Sequence, residues 1–282
     1  MYEAYYRFSA KPFQLSPDPR FFFSSRGHRR AMAYLVYGAH QGEGFIVITG
    51  EIGAGKTLLA RMLARKLESQ MNLVMAQVMS TQLGPEDTLR MVAAAFGLPM
   101  ESNKAVLLRS IEQFLLGCRK QGKRALLLVD EAQNLPLNSV EELRMLSNFQ
   151  LGDKSLLQSF LLGQPEFRRT LQSPALEQLR QRVLASCHVG PMDDPETEAY
   201  IRHRMETVGW RGDPSFSEDA YHAIYNYTGG IPRRINVLCD RLLLMGRLDG
   251  KHAFTAKEVG EVIDDMEQEF APAPLHATGG VM

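Results

Sequence analysis

Residues 50–57 read Gly50-Glu51-Ile52-Gly53-Ala54-Gly55-Lys56-Thr57, and they fit the pattern G-x-x-x-x-G-K-[ST] without a mismatch. An apolar run, Phe45 to Thr49, precedes the stretch, and an amphipathic helix is predicted after it, over Thr57 to Leu67. Glycines in such a turn let backbone N–H groups curl around phosphate oxygens, and the start of the helix adds a partial positive charge. The sequence therefore predicts a phosphate-binding loop that extends from Gly50 to Leu58.

Two side chains of this loop and two carboxylates farther along the chain predict a site for ATP and Mg²⁺. Lys56 has the position that reaches the β- and γ-phosphates, and the Thr57 hydroxyl has the position that ligates Mg²⁺. Asp130 and Glu131 follow a second apolar run, Leu126 to Val129. Because the carboxyl end of a parallel strand lies at the ligand edge of its sheet, we expect Asp130 on the Mg²⁺ side. Glu131 has the position of a general base that polarises the attacking water.

The composition is typical of a globular chain with about two domains. The chain has 282 residues, 45% of them hydrophobic and 23% charged, and its formal net charge is zero. A neutral chain has no global basic field, which disfavours a nucleic-acid surface but leaves room for a local patch. No apolar run approaches the ~18–20 residues that cross a bilayer, and the start lacks the pattern of a secretory signal. Neither the three cysteines nor the seven histidines have metal-ligand spacing, so a cytoplasmic protein without disulfides or a transition metal is expected.

Apolar runs alternate with amphipathic helices up to Pro191, a pattern that predicts a parallel sheet covered on both faces. The predicted strands are Phe45 to Thr49, Leu73 to Met79, Ala125 to Val129, Ser159 to Leu162 and Val183 to Val189. The helices predicted around them are Arg26 to Gln41, Thr57 to Leu67, Pro85 to Phe96, Lys104 to Arg119, Ser139 to Phe149 and Leu176 to Arg182. After Pro191 only helices are predicted, over Pro195 to Val208, Ser217 to Tyr227, Pro232 to Gly246 and Ala256 to Phe270. The expected fold class is therefore α/β, a P-loop sheet flanked by helices and followed by an all-helical domain.

These patterns divide the chain into four predicted segments. Residues 1–44 form a loop and a helix that lead into the core, and residues 45–191 form the α/β nucleotide-binding domain. Residues 192–270 form the helical domain. The last segment, residues 271–282, is rich in Pro, Gly and Ala without periodicity and is expected to be a flexible tail.

The phosphate loop, the Asp130-Glu131 pair and the helical second domain together resemble the AAA+ ATPases, over Met1 to Phe270. Four short phrases are similar to a narrower group, the general secretion pathway protein A family. They are Ser16-Pro17-Asp18-Pro19-Arg20-Phe21-Phe22, His40-Gln41-Gly42-Glu43-Gly44, Gly163-Gln164-Pro165-Glu166 and Gly230-Ile231-Pro232-Arg233-Arg234-Ile235-Asn236. Within that group, the chain most resembles the ATPase associated with exosortase/PEP-CTERM and extracellular polysaccharide loci.

The resemblance implies further site residues. Gln164 corresponds to the polar sensor near the γ-phosphate. Arg233, with its neighbour Arg234 as the alternative, corresponds to the second sensor, which reaches the nucleotide from the helical lid. Arg182, preferred by its position over Arg180, corresponds to the arginine finger that stabilises the transferring phosphoryl group from a neighbouring subunit. The nucleotide then lies between the two domains.

The implied activity is ATP hydrolysis that powers or regulates assembly of an envelope secretion or exopolysaccharide export system. A homo-oligomer that works with a protein partner is expected, cytoplasmic or peripheral at the inner membrane through that partner. The alternative is a nucleotide-dependent adaptor of DNA transactions, as in transposition regulators. A switch that only binds ATP and a small-molecule kinase are both disfavoured by the Asp130-Glu131 pair. A two-lobed helicase is also disfavoured, because the chain has room for one α/β lobe.

Overall fold

The computed structural model describes residues 1–70, 72–79 and 84–270. The chain divides into two compact units. The sheet unit is Pro17–Met192, and the helical unit combines Met1–Ser16 with the chain from Asp193 onward. The predicted segment 1–44 is divided between these units, since residues 1–16 belong to the helical unit and residues 17–44 to the sheet unit. The tail predicted to be flexible, 271–282, lies outside the described residues.

The strands follow the predicted pattern, with four short additions of two residues each. In chain order they are β1 (Phe45–Gly50), β2 (Leu73–Met79), β3 (Arg124–Asp130), β4 (Gln150–Leu151), β5 (Lys154–Ser155), β6 (Leu157–Gly163), β7 (Val183–Val189), β8 (Ser215–Phe216) and β9 (Ala253–Phe254). Five of them form one parallel sheet in the order β2-β3-β6-β1-β7. The first strand of this sheet thus lies between the fourth and the fifth, and all five are parallel, as predicted for the α/β class.

The helices also lie near the predicted positions, apart from two short helices, at residues 2–5 and 166–171, that were not predicted. They are α1 (Tyr2–Tyr5), α2 (Arg26–Gln41), α3 (Lys56–Gln70), α4 (Pro85–Ala95), α5 (Lys104–Lys120), α6 (Leu137–Leu146), α7 (Glu166–Leu171), α8 (Glu177–Arg180), α9 (Asp194–Thr207), α10 (Glu218–Thr228), α11 (Pro232–Leu248) and α12 (Ala256–Phe270). The helix predicted over Leu176 to Arg182 is shorter than expected. A 3-10 turn, Pro174–Leu176, precedes α8, and β7 begins only three residues after α8 ends.

Both faces of the sheet are buried, because successive residues of a strand point to opposite sides. Phe45 and Val47 of β1 belong to a cluster that includes Leu89 of α4 and Ile111 of α5. Ile46 and Ile48 belong to a second cluster, which includes Leu35 of α2 and Leu63 of α3. A strand covered on both sides needs apolar residues at every position, which explains the unbroken run at Phe45–Gly50.

In the helical unit, α1, α10 and α12 contact α11, which carries an apolar stripe, and α9 packs against α10. Ile235, Leu238 and Leu242 of that stripe are fully buried. The prediction of an all-helical domain needs one correction, because β8 and β9 form a two-residue parallel pair. Strands this short have no alternating pattern long enough to recognise in a sequence. Within the described residues, no helix combines the length and the apolar character that a membrane span requires.

Candidate functional site

Three neighbouring strands carry the predicted site residues to one edge of the sheet. β6 lies between β3 and β1, and all three run in the same direction. Asp130 is the last residue of β3, Gln164 directly follows β6, and the phosphate loop directly follows β1. Because the carboxyl ends of parallel strands meet at the same edge, residues distant in the chain become neighbours there.

The phosphate loop curls tightly around the ammonium group of Lys56. Gly53 and Gly55 have φ angles of +82° and +87°, which side chains with a Cβ rarely adopt. Lys56 is 5% exposed, and its Nζ donates hydrogen bonds to the carbonyl oxygens of Gly50 at 2.8 Å and Glu51 at 3.0 Å. Burial lowers the pKa of Lys56, and the carboxylates of Glu131 and Asp130 oppose part of that shift. The loop therefore encloses the ammonium group of Lys56, which contacts two of its backbone carbonyls.

A buried histidine packs against this loop from α2. A Cβ placed on Gly55 would lie 2.9 Å from Nε2 of His28. The ring of His28 is held from its other side, since Nδ1 lies 2.7 Å from the hydroxyl of Ser25, the residue that caps α2. A basic cluster such as Arg26-Gly27-His28-Arg29-Arg30 is typical of a solvated helix start. That holds for its arginines, which are exposed, but His28 is buried.

A hydrogen bond links the phosphate loop to the end of β3. The Thr57 hydroxyl donates to Oδ2 of Asp130 at 2.6 Å, and the backbone N–H of Glu131 donates to the other oxygen, Oδ1, at 3.0 Å. Asp130 is 1% exposed. A hydroxyl and a carboxylate in contact supply the hard oxygen ligands that Mg²⁺ prefers, so the residues present fit the predicted metal.

Glu131 has a strained backbone and a carboxylate held by two side-chain amides. Its φ and ψ angles are +54° and +39°, the left-handed region, which costs a residue other than glycine roughly 1–3 kcal/mol. Oε2 of Glu131 accepts hydrogen bonds from Nε2 of Gln133 at 2.7 Å and from Nε2 of Gln164 at 3.3 Å. Strain of this kind persists where the surroundings fix the residue, and it often marks a functional site.

Comparisons with known proteins agree with this geometry. Residues 39–171 match the family model described as AAA domain. The ORC2 protein of Aeropyrum pernix, solved in ADPNP and ADP complexes, has a TM-score of 0.69 at 16% identity, covering 94% of this chain and 75% of its own. Cdc6p of Pyrobaculum aerophilum has a TM-score of 0.70 at 14% identity, covering 90% of this chain and 70% of its own. The fold is that of the AAA+ P-loop NTPases. The predicted fold class is thereby confirmed.

The chain is also similar in sequence to a curated relative. General secretion pathway protein A of Aeromonas hydrophila is 37% identical over 254 residues, which is 89% of this chain and 46% of the relative. The chain spans about half the length of the curated relatives that it matches. The predicted resemblance to general secretion pathway protein A is thus supported. The narrower likeness to exosortase-associated ATPases stays a prediction.

The two finger candidates of the AAA+ sheet unit lie far from its own phosphate loop. The carbonyl of Arg182 accepts a hydrogen bond at 2.9 Å from the N–H of Phe45, the first residue of β1. The phosphate loop follows the other end of β1, about 17–20 Å away at ~3.3 Å per residue. Arg182 donates from Nη1 to the Ser147 hydroxyl at 2.8 Å. Arg180 donates from Nη1 to the carbonyls of Leu171 and Ser173, both at 2.9 Å.

The predicted lid sensor lies in the helical unit. Arg233 is the second residue of α11, directly after Pro232, and its side chain is exposed. Arg234 beside it is also exposed. A proline at the first helical position is typical of a helix start, as the sequence indicated. Both arginines are therefore free to contact a ligand.

The sequence interpretation missed two residues that the fold adds to the site, Gln133 and His28. Gln133 belongs to the phrase Asp130-Glu131-Ala132-Gln133, which suggested only a comparison with helicases. The backbone turns sharply at Glu131 and continues into a 3-10 turn, Ala132–Asn134, which directs Gln133 back toward Glu131. For His28, the signal was the serine three residues before it, a typical helix cap that fixes the start of α2.

Proposed function

We propose that the chain is an ATP-binding and ATP-hydrolysing AAA+ protein. One observation carries the proposal. A buried lysine in a phosphate loop, a Thr57–Asp130 hydrogen bond and a carboxylate on Glu131 lie together at the carboxyl edge of one parallel sheet. Phosphoryl transfer to water needs a cradle for phosphate charge, oxygen ligands for a divalent cation and a base for the water.

The phosphate loop, Gly50 to Leu58, binds the nucleotide in this proposal. Backbone N–H groups of the loop and the first turn of α3 face the phosphate oxygens. Lys56 donates to the β- and γ-phosphates in place of the two carbonyls that it contacts in the structure. Thr57 and Asp130 would hold Mg²⁺, which supplies neutralisation of the phosphate charge when it is bound.

For the hydrolytic step, we assign the role of general base to Glu131 and a sensing role to Gln164. A carboxylate next to the cation site takes the proton of the attacking water as that water approaches the γ-phosphate. The Gln164 amide lies between Glu131 and the end of β6, where it can orient the same water without adding charge. Arg233 remains the proposed second sensor of the lid, with Arg234 as its alternative.

The position of Arg182 supports a homo-oligomer. It lies at the amino edge of the sheet and the phosphate loop at the carboxyl edge, so Arg182 can complete a nucleotide site only on a second copy of the chain. Among the described residues, the Arg182 guanidinium donates a hydrogen bond from one nitrogen, to the Ser147 hydroxyl, which leaves other donors for a phosphoryl group. Arg180 uses one nitrogen for two backbone carbonyls, and it remains the alternative finger.

We propose that this ATPase powers or regulates an envelope secretion or exopolysaccharide export system through a protein partner. The support is the 37% identity to general secretion pathway protein A. The exopolysaccharide assignment, and the likeness to exosortase-associated ATPases, rest on the four phrases quoted above. A cytoplasmic protein that reaches the inner membrane through its partner is consistent with this role.

A second candidate is an adaptor of DNA transactions. The fold likeness to ORC and Cdc6 proteins favours considering it, although at 14–16% identity that likeness concerns the fold alone. The zero net charge argues against a large DNA surface. Fluorescence anisotropy with labelled duplex DNA separates the two proposals. An affinity that falls steeply with added salt would favour the adaptor.

The proposed function is tested by ATP turnover as a function of protein concentration, with molecular mass measured by light scattering. We expect specific activity and mass to rise together with concentration when ATP and Mg²⁺ are present. Arg182→Ala should lose turnover but keep ATP binding, while Arg109→Ala, an exposed arginine of α5, should match the wild type. Turnover by a monomer at a rate independent of concentration would contradict the shared site, and a protein without turnover would contradict the ATPase.

A further inference from the structure

Gln133 uses both ends of its side chain to join the two residues that flank the proposed water site. Its Nε2 donates to Oε2 of Glu131 at 2.7 Å. Its Oε1 accepts a hydrogen bond at 2.9 Å from the backbone N–H of Gln164. The amide of Gln164 donates to the same Oε2 at 3.3 Å, so the three residues form a closed hydrogen-bonded ring.

Chemistry fixes the orientation of the Gln133 amide. A backbone N–H can only donate, so the atom that faces the N–H of Gln164 has to be the amide oxygen. An ionised carboxylate can only accept, so the atom that faces Glu131 has to be the amide nitrogen. Exchanging the two ends would place a carbonyl against a carboxylate and two donors against each other. The ring therefore admits one arrangement.

The ring also distinguishes the two oxygens of the Glu131 carboxylate. Both amides contact Oε2, and among the described residues Oε1 has no hydrogen-bond partner. A carboxylate anchored through one oxygen keeps its plane fixed and presents the other oxygen to a water. This is the condition for efficient proton transfer, because a general base has to lie within hydrogen-bond reach of the proton it takes.

We propose that Gln133 is the positioning residue of this ATPase, which aims Oε1 of Glu131 at the attacking water and keeps the turn after β3 in register with the loop after β6. The inference rests on the proposed function and deepens it. Among the described residues Gln133 has no hydrogen bond to the phosphate loop, and it supplies no charge, so its loss affects the hydrolytic step rather than the binding of ATP.

The test compares kcat, KM and ATP affinity for four variants of the full chain. Gln133→Leu removes both hydrogen bonds at similar volume. We expect kcat to fall roughly 10- to 100-fold with KM and ATP affinity nearly unchanged, a smaller loss than the roughly 10²–10⁴-fold that a positioned base supplies. Gln113→Leu, at an exposed position of α5, is the matched control and should equal the wild type. Glu131→Gln should lose turnover altogether.

Gln133→Glu supplies a readout that a loss of folding would not change. The new carboxylate still accepts from the N–H of Gln164, but it faces Glu131 with a second negative charge. Two adjacent carboxylates favour protonation of the pair, so the acidic limb of the pH–rate profile should move to higher pH. An unfolding variant would lower the whole profile without moving that limb.

The outcomes separate the positioning role of Gln133 from the proposed ATPase activity. If Gln133→Leu and Gln133→Glu match Gln113→Leu while Glu131→Gln is inactive, the positioning role is overturned and the ATPase stands. The positioning role is also overturned if Gln133→Leu loses ATP affinity and kcat in equal measure. If Glu131→Gln keeps wild-type turnover, or the wild type has none, the proposed base is wrong and the role of Gln133 is wrong with it.

Discussion

The hydroxyl of Thr57 lies 2.6 Å from Oδ2 of Asp130, so a single hydrogen bond joins the first turn of α3 to the last residue of β3. The two residues are 73 positions apart in the chain. Their contact spans the end of β6, because β6 lies between β3 and β1 in the sheet. A divalent cation placed here has a hydroxyl and a carboxylate as ligands and the phosphate loop beside it.

Asp130→Asn tests this pair as a cation site. The substitution removes the charge and keeps the shape, so we expect ATP affinity measured with Mg²⁺ to fall about 10-fold, equivalent to about 1.4 kcal/mol. Affinity measured in EDTA should not change, because the nucleotide then contacts only the loop. Titration of a fluorescent ATP analogue under both conditions gives the comparison. An equal loss in EDTA would show that the substitution damages the loop itself.

Gly55→Ala tests the geometry of the phosphate loop. The residue has φ of +87°, and a Cβ there would press on His28, so we expect the protein to lose roughly 1–3 kcal/mol of stability. The melting temperature should fall and ATP binding should be lost. Gly117→Ala, at a helical position of α5 with nothing within 4 Å of a new Cβ, is the control and should be neutral or slightly stabilising. Equal behaviour of the two variants would contradict the account of the loop.

Arg204→Met tests how the amino-terminal segment is held in the helical unit. Arg204 is 6% exposed and donates to the carbonyls of Pro12 at 2.5 Å and Gln14 at 3.1 Å. Removing the guanidinium leaves these acceptors without that donor, at a cost of roughly 1–3 kcal/mol. We expect a lower melting temperature and faster proteolysis within residues 1–16. Arg202→Met removes an exposed pair with Glu198 and a cation–π contact 5.0 Å from the ring centre of Tyr221, and should cost less, about 1 kcal/mol.

A mixing experiment tests whether Arg182 acts on a neighbouring subunit. Neither Glu131→Gln nor Arg182→Ala should hydrolyse ATP alone. In a random 1:1 mixture, roughly a quarter of head-to-tail interfaces combine an intact base with an intact arginine. We therefore expect the mixture to recover a corresponding fraction of wild-type turnover. No recovery at concentrations that assemble the protein would place the action of Arg182 within its own chain or outside catalysis.

Much of the fold could be predicted because the strands of a doubly covered sheet are mostly apolar. The strands Leu73–Met79 and Val183–Val189 and the helices Arg26–Gln41 and Ala256–Phe270 have the predicted bounds. Elements of two residues, such as β4 and β5, could not be predicted, because they contain less than one period of any pattern. The phosphate loop and the Asp130-Glu131 pair were recognisable because their function requires fixed spacing.

The remaining parts of the site depend on contacts that sequence spacing does not encode. Gln133 reaches the N–H of Gln164 only because β3 and β6 are neighbours in the sheet. The first residues of the chain join the helical unit because Arg204, far along the chain, provides buried donors for their carbonyls. A proline-rich segment carries no periodic pattern, so nothing in residues 8–23 identified the unit on which it packs.

The central claim is that Glu131 is the base of an ATP-hydrolysing site. It is tested most directly by measuring ATP binding and ATP turnover of Glu131→Gln against Glu112→Gln, an exposed glutamate of α5. We expect Glu131→Gln to bind ATP with Mg²⁺ as tightly as the control and to lose turnover by at least about 100-fold. Glu131→Gln that hydrolyses ATP at the rate of Glu112→Gln would contradict the claim.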